Sequence, residues 1–169
     1  MASTYTLISS QVLGSSAASV TFSSIPQTYK DLVLRVSVRD DYAAENEVLD
    51  IKFNGTTTGY SYTYNVAGGG TSASRRGSSA TLWRNSYTNG GSATANAFSS
   101  SEMYIPSYTA SQNKPMSSIN FVESNDTNAS MGVMAALWQN TAAITSIAIY
   151  AVNGSYNFVT GSSFYLYGI

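Results

Sequence analysis

A two-residue rhythm constrains this chain more than any other feature. Apolar residues alternate with polar ones in short runs, and most runs end at or beside Gly, Pro or Asn. Side chains alternate across a pleated strand, so period two marks a strand with one buried face. The clearest run is 31–39, where Leu32, Leu34, Val36 and Val38 share one face and Arg35, Ser37 and Arg39 the other. Further candidates lie at 5–13, 20–25, 49–53, 60–66, 101–105, 117–122, 131–138, 144–152 and 163–167. Asn54-Gly55 and Asn153-Gly154 read as tight hairpin turns, which require positive φ. No segment has helical periodicity, although Ala135, Ala136 and Leu137 leave room for a short helix. The pattern predicts nine or ten short strands in one domain over 1–169. The expected fold is all-β, an antiparallel β-sandwich of jelly-roll-like form with about four strands per sheet. The region at about 68–100, rich in Gly, Ser, Ala and Asn, reads as a long loop or arm.

Composition removes most chemistries. The chain has no Cys and no His, which excludes thiolate–imidazole zinc sites, Ser-His-Asp and Cys-His catalysis, haem ligation through those residues, and disulfides. No cofactor is expected. A net charge of −1 offers no basic field for nucleic acid. The N-terminal residues lack a basic, then apolar, signal pattern, and no apolar run nears the ~20 residues that span a bilayer, so the chain is expected to stay soluble where it is made. Its four Asn-x-Ser/Thr sequons, at Asn54, Asn125, Asn128 and Asn153, are at the frequency this Ser/Thr content gives by chance. Charged residues make up 10% of the chain, against roughly 25% in ordinary domains. Such a surface favours self-association, and it holds too few Lys to blunt sheet edges by charge. A neighbouring subunit that covers the edges is the simplest remedy.

Several clusters carry possible chemistry. Asp40, Asp41, Glu45, Glu47 and Asp50 hold five of the nine acids. They form either a calcium-binding loop or a solvated connection between strands, with Arg35, Arg39 and Lys52 near enough in sequence to neutralise part of the charge. Glu102, Glu123 and Asp126 are candidates for a paired-carboxylate hydrolytic site. Lys30 and Lys114 are candidate nucleophiles, with no apolar pocket in view to lower either pKa. Tyr60, Tyr62 and Tyr64 form a stripe that would stack on sugars, fill a half-buried strand face or enter a subunit interface. Arg75, Arg76, Trp83 and Arg84 are either interface anchors or part of a solvated loop.

Four segments carry a family resemblance. They are Phe22-Ser-Ser-Ile-Pro-Gln-Thr-Tyr-Lys-Asp-Leu-Val-Leu-Arg35; Glu102-Met-Tyr-Ile-Pro-Ser-Tyr108 with Lys114; Trp138 through Ile147; and Asn157-Phe-Val-Thr-Gly-Ser-Ser-Phe-Tyr-Leu-Tyr-Gly-Ile169. Together they resemble small virion structural proteins of tailed bacteriophages, cyanophages among them. That resemblance skips 68–100 and includes no catalytic motif. It implies a jelly-roll capsid decoration or cement protein, located in the virion and lacking enzymatic activity. Implied partners are the major capsid protein or other virion proteins and further copies of the chain, commonly as a trimer. The alternative is a tail-fibre or baseplate module that binds host glycans.

Overall fold

A computed structural model describes residues 4–125 and 129–169. Twelve strands are present among them: β1 (Thr6–Val12), β2 (Ser19–Phe22), β3 (Leu32–Val38), β4 (Asn46–Phe53), β5 (Tyr60–Gly68), β6 (Thr71–Ala80), β7 (Trp83–Asn89), β8 (Ser99–Ile105), β9 (Lys114–Val122), β10 (Ser130–Trp138), β11 (Ile147–Ala151) and β12 (Ser163–Gly168). The only helical element described is a 3-10 turn, Val152–Gly154. All ladders between these strands are antiparallel. They form an eight-stranded sheet, β1-β12-β3-β8-β9-β10-β5-β6, and a four-stranded sheet, β2-β11-β4-β7. The all-β sandwich is as the rhythm predicts. The sheets are unequal, however, rather than about four strands each.

Alternation explains the layering. In β9, every second residue from Lys114 to Val122 is buried and those between are exposed. β3 faces inward with Leu32, Leu34, Val36 and Val38 and outward with Arg35. Leu49, Ile51, Phe53, Ile147 and Ile149 answer from the small sheet. An aromatic cluster closes one end: Phe53 lies 5.5 Å from Trp138 and 6.3 Å from Trp83, and Tyr60 stacks on Trp138 at 6.3 Å. All four are almost fully buried, so truncating any one to Ala would cost about 3–5 kcal/mol.

Three local expectations need correction. Residues 68–100 are not one long loop or arm, because β6 and β7 occupy most of the segment. β6 reads Thr-Ser-Ala-Ser-Arg-Arg-Gly-Ser-Ser-Ala and has no alternation to betray it. It is an edge strand exposed on both faces, held by its ladder to β5, and neither face had to be apolar. Gly69 and Gly70, at φ 56° and 77°, make the two-residue turn that pairs β5 with β6. Asn54-Gly55 does adopt positive φ at both residues, yet it carries the chain from one sheet to the other and closes no hairpin. Asn54 instead ties three later residues: Nδ2 donates to the Ala143 carbonyl, and Oδ1 accepts from the Thr145 and Ser146 amides. Asn153-Gly154 lies in the 3-10 turn. The strand expected over 131–138 does form, as β10, and the Ala135-Ala136-Leu137 stretch within it is extended.

β12 lies between β1 and β3, so late residues hold the first strand to the rest of the sheet. Next to this ladder, Ile169 and Asp31 exchange backbone hydrogen bonds.

Candidate interaction surface

The aromatic stripe folds inward. Tyr60 is 1% exposed, and its hydroxyl accepts from the Phe53 amide at 2.8 Å. Tyr64 is also buried, and that burial raises its pKa. Tyr62 is half-buried and lies over Gly77 of β6, where a Cβ would run into its ring. Tyr60 and Tyr64 therefore offer neither a sugar platform nor an interface. Trp83 is a correction of the same kind. It is wholly buried against Phe53, with its indole N–H toward Met134 sulfur, because it opens β7 facing the large sheet. Arg84, next along β7, points the other way, and its Nε lies 3.3 Å from buried Asp50. Arg75 and Arg76 remain exposed on β6.

The acids do not converge. Asp40 is buried, accepting from Thr88 Oγ1 at 2.7 Å and the Tyr42 amide at 3.0 Å, and burial raises its pKa despite those bonds. Asp41 faces solvent. Burial alone would raise its pKa, but hydrogen bonds from the Asn157 amide and Nδ2 bring it below the usual carboxylate value. Asp50 is occupied by Arg84, and Glu47 accepts from the Val48 amide. Among the described residues no three metal-capable side chains come together. The neighbouring cations serve elsewhere. Arg39 donates to the carbonyls of Gly91, Ala93, Thr94 and Ala97, clamping that loop. Lys52 sits over the Tyr150 ring.

The other candidates separate as well. Glu102 lies opposite Ile119, four residues from Glu123 along the neighbouring strand. Four residues of extended chain span about 13 Å, beyond the 5–10 Å of a hydrolytic pair. Asp126 lies outside the described residues. Lys30 is exposed. Lys114 is fully buried, and burial lowers its pKa, contrary to the sequence reading. Its Nζ is spent on the carbonyls of Ala110, Gln112 and Asn140.

What the fold does assemble is a face. The exposed large hydrophobic side chains among the described residues are Tyr5, Leu7, Val12, Tyr104, Ile119, Phe121, Met131 and Val133. All lie on or beside strands of the large sheet and point away from the small one. Scattered apolar residues are ordinary on a surface, but their gathering on one face marks an interaction site. Near its middle Arg35 donates to Glu102 at 2.6 Å and lies over the Tyr5 and Tyr167 rings. The hydrogen bond to Glu102 raises the Arg35 pKa. Beside the pair is an open hollow of about 420 Å³, with Ser37, Ser100 and Ser163 between Phe121 and Tyr165.

Sequence reasoning missed this face, though one signal marks it. Residues 131–138, Met-Gly-Val-Met-Ala-Ala-Leu-Trp, have no polar member. In an antiparallel sheet with one wet face the outward positions should be polar, so an unbroken apolar strand implies cover on both sides. Comparison of this chain with protein-family models, with curated proteins and with solved structures finds no match.

Proposed function

We propose that this chain is a non-enzymatic structural protein of a tailed-phage virion, of the capsid decoration or cement type, which self-associates and reinforces the head shell. One observation carries the reading: the exposed large apolar side chains share one face of the large sheet. The four resembling segments support it, as does a surface with little charge to oppose close packing. The jelly-roll connectivity of such proteins belongs to the same proposal. The mechanism is mass action. A protein that binds only the assembled shell stabilises it, and many modest interfaces add up across a particle.

The test is absolute quantification by mass spectrometry of purified virions of the encoding phage. Hundreds of copies per particle are expected. A few copies would place the chain in the tail, and its absence from particles would refute the reading.

A further inference from the structure

We infer that the outer face of the eight-stranded sheet is a two-fold interface with a second copy of the chain, its axis running between β8 and β9 parallel to the strands. This rests on the proposed self-association and specifies which surface performs it. The axis divides the sheet into equal halves, β1-β12-β3-β8 and β9-β10-β5-β6. Rotation about it lays β8 over the other copy's β9, β3 over its β10 and β12 over its β5.

Strand register decides whether the halves fit. One outward row reads Ser163, Ser37, Ser100, Phe121, Met131, Ala67. Under the rotation Phe121 meets Ser100 and Met131 meets Ser37, so large side chains of one copy fill the serine-floored hollow of the other. Four residues along the strands, the row reads Tyr167, Val33, Tyr104, Ser117, Ala135, Thr63, with the sizes reversed. Tyr104 then meets Ser117, and Tyr167 meets Thr63. Between them runs Tyr165, Arg35, Glu102, Ile119, Val133, Asn65. Here Val133 and Ile119 cover the Arg35–Glu102 pair, which is already neutralised within its own chain. In both outer rows the large side chains of the six inner strands oppose smaller ones, Leu7 of β1 meets Arg76 of β6 at the rim, and no like charges meet in these rows. This is the self-complementarity an isologous contact requires.

Area agrees. Eight strands at about 4.8 Å and some seven residues at about 3.3 Å give on the order of 800 Å² per copy, the size of a stable interface. A sheet paired with itself closes at two copies, so the dimer replaces the trimer that the resemblance implies.

The cysteine-free chain permits a direct test. Ser37 and Met131 lie three strand spacings apart within a chain, about 14 Å, too far for an internal disulfide. The double variant Ser37→Cys/Met131→Cys is therefore expected to form covalent dimers on mild oxidation, whereas Ser37→Cys/Ser74→Cys does so poorly. Sedimentation velocity of the unmodified chain should give a two-chain species. Phe121→Asp should weaken it at least tenfold while the circular-dichroism spectrum is kept; should that variant not fold, Val133→Glu, at a more exposed position, carries the same readout. A chain that stays single at high concentration, a three-chain species, or equal cross-linking of the two double variants overturns the interface. A monomer present at hundreds of copies in virions sinks the interface alone; a dimer absent from virions sinks the decoration reading alone.

Discussion

Replacing Lys114 with Met tests how the inner layer tolerates a cation. Lys114 opens β9 opposite Trp138 and is fully buried. Its Nζ donates to the carbonyls of Ala110 at 2.7 Å, Gln112 at 2.5 Å and Asn140 at 3.4 Å. Both ion pairs found among the described residues lie elsewhere. Methionine keeps most of the stem and removes the ammonium. Two short charge-assisted bonds are lost, each worth about 1.5–3 kcal/mol, while water reaches some of the freed carbonyls and an ammonium no longer has to be desolvated. The net loss at neutral pH is about 2 kcal/mol. The pH dependence has a definite sign. Burial lowers the folded-state pKa, so the unfolded chain holds the proton to higher pH than the folded one. Stability from Lys114 therefore rises as pH climbs from the folded value toward 10.5, the ordinary lysine value. Tyrosine ionisation acts oppositely in that range but is common to both proteins and cancels in their difference. Urea unfolding followed by tryptophan fluorescence, with Trp138 adjacent, measures that difference. A variant as stable as the parent at neutral pH, or a gap that narrows as pH rises, would refute the argument.

Arg39→Ala removes donors to four carbonyls and should cost about 2–4 kcal/mol, with faster amide exchange at 91–97. Unchanged exchange there would mean the loop holds itself. Asp40 has a raised folded pKa, so its carboxyl is easier to accommodate protonated. The parent should lose stability relative to Asp40→Asn as pH rises from 3.8 through that value, and a pH-independent difference in urea midpoints would contradict this. Gly77→Val places a branched side chain where the Tyr62 ring now lies. Hydrogen exchange should speed up in β6 while β9 is unaffected, and undiminished β6 protection would show that Tyr62 adapts freely.

What the sequence revealed depended on whether each strand had a dry side. β3 and β9 were legible because one face meets the other sheet, and Leu32 to Val38 advertises that in period two. β6 was invisible because it meets solvent on both faces, so its membership is written in the partner strand. Trp83 misled for a related reason. Leu82 beside it is apolar too, but the polar residues on either side of that pair hide the short run that carries Trp83, at the head of β7, into the core. Arg35 and Glu102 are distant in sequence and pair only because β3 lies beside β8, which no local pattern encodes. The Lys114 cage is likewise a matter of where loop carbonyls end up.

The placement of β12 governs when this molecule can form. Among the described residues the one ladder of β1 is to β12, so during synthesis β1 has nothing there to zip against until residues 163–168 have emerged. Contacts this distant along the chain slow folding and prolong exposure of apolar surface. The bare edge of β3 stays open for the same interval. A nascent chain of this design would be most vulnerable to tangling with its siblings just before residues 163–168 become free to pair.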